Sequence, residues 1–565
     1  MTNVVVKRIK QLLQEEVDTG KLLGGGVYGS LPAKDEDCEP VFKKYEFVAG
    51  WRNVQKTKPY TADTIIRLAS STKLLGVVSF LKLIDNGTII GQENISMWIP
   101  EFANTKVIDP KIPTETVTVV NALRATNGSN VVSVNQPNHG FSSGQSIGVQ
   151  NSTAIQGIPA LELNQVHVIT VIDANNYTFT VTSNATGTSP AGEGGVVTIA
   201  KVEFGVLQRV FNGNYYYYKE VPLNDPISIW HILTGTLGYA YYSIILGVSF
   251  GYSVGVNDPV KLYKAQIQAS IINELLIPST YPLSAFPLSY TGVKEWAKAM
   301  ALVPLLYQPG TEWCYGPGTS ILGALVEYID GREFTQYFKE EVTDPLGMKN
   351  TGFFIQDDDP RRAQKLDLIM DLTTALAPGV FVPLNTLIPG VGIDNYFYGA
   401  DQPRKLPLID GGGYSTMDDL TKFYTMLKND GRTKNGKFFI SPALISSISQ
   451  NKISDLPTYR FLIPSYQFRW GLGVAVSAGF DTRNTLMGQT TRGIFWSGQY
   501  GTVYSVDFGN HSVNQFATNY FGVVLTLGTL QPRLQNLHMS ALLDVKVNKK
   551  DVDPFAVDPR ETTEY

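Results

Sequence analysis

Ser70 and Lys73, in "RLASSTKLL" (Arg67 to Leu75), are the residues whose types and spacing offer a reaction most directly. Three residues apart on a helix, their side chains share a face with Cβ atoms roughly 5–6 Å apart, so a lysine nitrogen can reach a serine oxygen. A serine hydroxyl attacks a carbonyl only when a neighbouring base takes its proton. In water a lysine keeps its own proton up to about pH 10.4, and burial or nearby positive charge weakens that hold. Ser71 has no basic residue at the same spacing, which makes Ser70 the better nucleophile. The plain alternative is a serine that caps a helix and a lysine that snorkels outward from the first turn.

The element that must position this pair is a helix expected from Ser70 to about Asn86, where Asn86-Gly87 supplies a stop. Leu74, Leu75, Val77, Val78, Phe80, Leu81, Leu83 and Ile84 make it apolar nearly all round apart from Lys82, so burial on most sides is expected and Lys73 is partly desolvated. In "YQPGTEWCYGPGTSILGALVEYIDG", Tyr315 stands where a Pro-Gly loop runs into a helix expected from about Ser320. In "GIFWSGQYGTVYSVDF", Trp496-Ser497-Gly498-Gln499 precedes a strand expected to end near Phe508, and a glycine there lets a substrate approach the backbone. For Tyr315 and Trp496 the plain alternative is aromatic packing.

These stretches, with "PISIWHILTGTLGY", "DPLGMKNTGF", "IDGGGYSTMDDLTKF" and "RWGLGV", form an ordered series of landmarks. In them the chain resembles the serine β-lactamase and penicillin-binding protein superfamily, especially class C β-lactamase-like proteins, family VIII carboxylesterases and related fungal acyltransferases. The resemblance implies an α/β (α+β) fold: a β-lactamase-like antiparallel sheet flanked by helices, with an all-helical region. It implies Ser70 as the acylated nucleophile, Lys73 as its proton acceptor and Tyr315 as the second acid-base group. It also implies an oxyanion hole from the backbone N–H groups of Ser70 and Gln499, substrate contacts at Trp496, Ser497 and Gly498, and neither cofactor nor metal.

Two departures narrow that expectation. Many superfamily members carry Lys or His where Trp496 stands, and an indole offers no positive charge to a substrate carboxylate. Tyr315-Gly316-Pro317 also lacks the usual asparagine. Both point to the esterase branch, with a small-molecule ester or amide as substrate, ahead of a β-lactamase or D-peptidase. "KNG" at Lys434–Gly436, in an expected surface hairpin, and "KNTG" at Lys349–Gly352 are decoys. None of the five histidines falls at a proposed catalytic position, which disfavours a Ser-His-Asp triad and a zinc site.

Around the site, the 565 residues, 43% hydrophobic and 17% charged, can bury large cores. A net charge of −4 without a basic run excludes a phosphate-neutralising surface, so no nucleic-acid partner is expected. Cys38 and Cys314 build no disulfide framework and fit a reducing compartment. The first residues form an amphipathic surface helix, not a signal peptide. The charge-free run from Ile232 to Val256 has a membrane span's length, but its glycines, serines and tyrosines read as a packed loop region. The chain is therefore expected off the membrane, cytoplasmic or virion-associated.

From Thr116 to Phe204 helical periodicity vanishes and short β-branched runs such as "NNYTFTVT" lie among Gly, Ser and Asn. The expected organisation is residues 1–115 and 205–544 as one hydrolase-like domain, 116–204 as an inserted all-β domain, and 545–565 as a charged tail. The insertion resembles β-rich modules of phage-tail and giant-virus proteins, which implies self-assembly or virion partners. A second reading therefore stands beside the enzyme: a virion or assembly protein that uses the fold with little or no activity.

Overall fold

The computed structural model describes residues 2–35, 40–243, 248–249, 258–276, 292–356, 358–383, 386, 406–453, 456, 469–477, 492–520 and 546–547. A long antiparallel sheet organises them. Its strands are β1 (Gly24–Asp35), β2 (Pro40–Gly50), β3 (Arg469–Trp470), β4 (Ala475–Val476), β5 (Gly493–Ser497), β6 (Val503–Asp507) and β7 (Ser512–Ala517). They lie in the order β2-β1-β7-β6-β5-β4-β3, with Lys546–Val547 parallel to the far end of β1. Strands from both ends of the chain thus meet at the centre of one sheet.

Side chains that alternate across each strand give the sheet two buried faces. On one, Val27 and Leu31 of β1 pack with Ile9, Leu12 and Leu13 of helix α1 (Thr2–Asp18). On the other, Tyr28 of β1, Tyr504 of β6 and Val513 of β7 join Met417, Phe423 and Leu427 of a later helix, Met417–Lys428. That helix starts at Thr416, whose hydroxyl accepts from the Asp419 N–H at 3.1 Å.

The helix carrying Lys73, α2 (Thr72–Asp85), is preceded by a 3-10 turn over Ala69–Ser71 and closed by Asn86, with Gly87 at φ +77°. Its expected all-round burial is observed from Thr72 to Leu81, and Lys73 is only 1% exposed. Helix α3 (Ile321–Ile329), entered through a 3-10 turn at Pro317–Ser320, packs against α2 and against the helices Val293–Ala301 and Phe334–Phe338. Gly76, one turn after Lys73, lets the loop Leu408–Gly413 lie directly on α2: a Cβ there would stand 1.8 Å from Ile409 Cγ2.

Residues 116–202 build two four-stranded sheets of their own. One runs Thr116–Val120, Val196–Val202, Ser146–Gln150, Val166–Val168; the other runs Thr170–Val171, Asn176–Thr180, Val131–Asn135, Leu123–Ala125. Leu123, Val132, Val134, Ile147, Val149, Tyr177, Phe179, Val197 and Ile199 form a buried cluster separate from the main core. The chain on either side is stitched together, since Asn214–Pro222 pairs antiparallel with Lys106–Pro110. The chain's entry to these sheets and its exit from them therefore lie side by side.

Trp496 and Ser497 end strand β5 themselves, and the strand expected after them is β6. Of the apolar run after His231, Thr234–Tyr241 forms a loop, and much of the remainder lies outside the described residues, as do Cys38, His538 and nearly all of 545–565. Among the described residues no helix is long and apolar enough to cross a membrane. The "KNG" segment is an exposed turn bridged at Arg432 and Phe438.

Candidate active site

The turn that presents Ser70 is strained. Ala69, just before it, sits at φ +45°, a left-handed conformation that costs a non-glycine residue about 1–3 kcal/mol and persists only when its surroundings over-determine it. Those surroundings are specific. Thr72 Oγ1 donates to the Ala69 carbonyl at 2.6 Å and accepts from the Gly413 N–H at 3.1 Å, while the Leu68 N–H donates to the Gly413 carbonyl at 2.9 Å. Ser70, half-buried, is the exposed point of an otherwise buried turn.

Lys73 Nζ lies 3.4 Å from Ser70 Oγ, a long contact of the kind that tightens when substrate binds. Its other partners are the Tyr241 hydroxyl at 2.9 Å and the Asp410 backbone oxygen at 2.6 Å. Lys73 Nζ also stands 4.7 Å from the Tyr315 ring centroid and 5.0 Å from that of Tyr241, over the faces of both rings.

Tyr315 and Tyr241 are neighbours because their loops are zippered. The Tyr241 N–H donates to the Tyr315 carbonyl at 3.1 Å, and Gly316 passes so close that a Cβ there would stand 1.7 Å from the Tyr239 carbonyl. Their rings are 5.1 Å apart. The Tyr315 hydroxyl accepts from the Trp496 indole N–H at 3.0 Å, and the Tyr315 and Trp496 rings are 5.0 Å apart. Trp496, 5% exposed, therefore fixes the phenol in place, and its N–H is engaged there.

The hairpin after Trp496 is bolted to the turn before the nucleophile. Thr502 Oγ1 donates to the Leu68 carbonyl at 2.8 Å and meets Ser71 Oγ at 2.9 Å. Gly498 is buried here, and a Cβ on it would lie 2.1 Å from Leu68 O and 2.2 Å from Thr502 Oγ1. The Gly498 N–H donates to Thr502 O at 2.7 Å, and Gln499, exposed, occupies the turn beyond it. Ser497 is half-buried and pairs with Val503.

Three residues of this cluster have no catalytic part assigned from the sequence: Tyr241, in a tyrosine pair that reads as sheet or pocket lining, Ser320, which reads as a helix start, and Asp410. Burial above all, then the Asp410 carboxylate and Tyr315 beside it, raise Tyr241 well above the usual phenol range. The Tyr241 hydroxyl bonds Asp410 Oδ2, and the Ser320 hydroxyl lies 2.5 Å from Asp410 Oδ1. The available signal was a lone carboxylate in the apolar run "LPLID" ahead of three glycines, and a tyrosine in "GYAYY". Two of the described histidines take structural parts: His231 Nδ1 accepts from the Ser228 N–H at 3.1 Å in a helix cap, and His167 stacks on Phe179.

The sequence model of the Beta-lactamase family matches residues 27–132 and 217–534, leaving most of the two extra sheets unmatched. Protein Rv1367c of Mycobacterium tuberculosis is 30% identical over 220 residues, 38% of this chain and 51% of that protein. Lovastatin esterase of Penicillium rubens is 36% identical over 69 residues, 12% of this chain and 17% of its own. The chain thus spans about half the length, or less, of these curated relatives. Among solved structures, EstCE1, described as a hydrolase with promiscuous acyltransferase activity, superposes with a TM-score of 0.55 at 17% identity, covering 95% of this chain and 99% of its own. Simvastatin synthase (LovD) of Aspergillus terreus gives 0.55 at 15% identity, covering 96% and 99%. The likeness in fold extends along nearly the whole of both.

Proposed function

The chain belongs to the Beta-lactamase family, and on that premise we propose that it is a serine acyl hydrolase or acyltransferase that cleaves small esters through a covalent Ser70 acyl-enzyme. The observation that carries the reading is the Lys73 amine, 1% exposed and 3.4 Å from Ser70 Oγ, with Tyr315 against it. In acylation, Ser70 Oγ bonds to the ester carbonyl carbon as its proton passes to Lys73 Nζ. The carbonyl π pair moves onto oxygen, where the Ser70 and Gln499 N–H groups receive it, each such donor contributing about 3 kcal/mol. Collapse restores the C=O, breaks the bond to the alkoxide and delivers a proton to it through Tyr315. Water or a second alcohol then reverses these steps, and Ser70 regains its proton.

The preference for esters rests on the third motif. With an indole in place of a cation, and its N–H held by Tyr315, the site offers no charge there for the carboxylate of a β-lactam. The esterase and acyltransferase names among the similar proteins support the same choice. Turnover of a chromogenic short-chain ester is expected to exceed that of a chromogenic cephalosporin by at least about tenfold, a difference of about 1.4 kcal/mol in barrier. The reverse order, read as kcat/KM on the purified chain, would return the assignment to a β-lactamase or D-peptidase.

A second reading, assembly or a virion partner through residues 116–204, draws on the edge strand Thr116–Val120. It is almost entirely exposed and carries Val117 and Val120 outward. An edge of this kind is a template for another strand. Concentration-dependent sedimentation together with an absence of ester turnover would favour it.

A further inference from the structure

Asp410 lies one step outside the groups that the proposed acyl transfer uses, and its hydrogen bonds have a direction. The Asp410 N–H donates to Ser320 Oγ at 3.0 Å, the Ser320 hydroxyl is 2.5 Å from Oδ1, and the Tyr241 hydroxyl meets Oδ2. Asp410 is 5% exposed and Ser320 is fully buried. A carboxylate accepts and never donates, so both hydroxyls must turn their protons toward it.

The consequence passes to Lys73. With its proton committed to Asp410, the Tyr241 oxygen can only accept from Lys73 Nζ, 2.9 Å away, and the Asp410 backbone carbonyl at 2.6 Å can likewise only accept. A neutral amine has two N–H groups and one lone pair. Two obligate acceptors draw the two N–H groups, and the lone pair is left for the third neighbour, Ser70 Oγ.

We infer that Asp410 is a positioning residue that, through Tyr241, fixes the direction of these hydrogen bonds so that Lys73 presents its lone pair and not an N–H to Ser70. The inference rests on the acyl-enzyme reading above. Burial and the neighbouring carboxylate, which hold the Tyr241 proton, act in the same sense. Gly76 makes the arrangement possible, because its missing side chain lets Ile409 and Asp410 reach α2 beside Lys73.

In Asp410→Asn the amide nitrogen can donate to Tyr241, whose proton is then released toward the Lys73 lone pair that Ser70 needs. With the full chain and a chromogenic ester, Asp410→Asn is expected to lower kcat by about 10- to 100-fold with KM changed less than about twofold. Tyr241→Phe should also lower kcat, and adding Asp410→Asn to it should cost less than about a further twofold, because the path is already cut. A purely structural role would instead give independent, multiplying losses or a raised KM, and either result overturns the inference, as does wild-type kcat in Asp410→Asn. Should Asp410→Asn fail to fold, undiminished kcat in Tyr241→Phe overturns it alone. A wild type inert toward ester and phosphonate would sink the acyl-enzyme reading and this one together, whereas an active wild type with an indifferent Asp410 removes only the latter.

Discussion

Replacing Lys73 with methionine is expected to lower ester turnover by about 10³- to 10⁴-fold while the chain still folds. The magnitude is that of a general base removed from the transition state. Methionine can follow the apolar path along α2 that the lysine stem now takes, among neighbours buried from Thr72 to Leu81, so packing changes little. The Asp410 carbonyl loses its donor, at about 1–3 kcal/mol for a buried group left unpaired, while the Tyr241 hydroxyl keeps its bond to Asp410 Oδ2. A lowered melting temperature should therefore accompany the lost activity. Measuring kcat/KM and thermal unfolding on the same preparation separates the two effects. A variant that keeps more than about a tenth of wild-type kcat/KM would show that Lys73 is not the base, since a general base is worth at least about 10².

Gly498→Val should be nearly as damaging for a different reason. Its Cβ would stand 2.1 Å from the Leu68 carbonyl and 2.2 Å from Thr502 Oγ1, and neither can yield without loosening the tie between the β5–β6 hairpin and the turn that carries Ser70. The Gln499 N–H rides on that hairpin. Moving it away from the developing oxyanion is expected to lower kcat by about 10²- to 10³-fold. Gln499→Ala keeps the backbone donor and should leave turnover nearly unchanged, because the Gln499 side chain is exposed. Full activity in Gly498→Val, or a large loss in Gln499→Ala, would contradict a backbone oxyanion hole at this hairpin.

Much of this architecture could be read before any coordinates. The apolar positions from Leu74 to Ile84 and the Asn86-Gly87 stop define α2 to within a residue or two, because helix periodicity and a left-handed glycine are local properties. The ordered motifs around Ser70, Tyr315 and Trp496 carry family and fold for the same reason: each is a short run whose chemistry survives without its neighbours. The strained Ala69, the Thr502 tie and the Asp410–Tyr241–Lys73 path could not be read this way. They join residues 168 and 337 positions from Lys73, and 431 positions separate Ser71 from Thr502. No spacing rule spans such separations. Trp496 marks the boundary between the two cases. Its position announced a departure from a charged third motif, but that its N–H serves Tyr315 depends on how β5 crosses the loop at Trp313–Gly316.

One hydroxyl, on Ser70, is expected to become acylated because the Lys73 amine beside it takes its proton. The most direct measurement is the intact mass of the full chain after incubation with a serine-directed aryl phosphonate, with the adduct located by peptide mapping. A single adduct on the peptide containing Ser70, absent from Ser70→Ala and strongly slowed in Lys73→Met, is the predicted result. Unmodified wild-type protein, or an adduct that persists in Ser70→Ala, would contradict it.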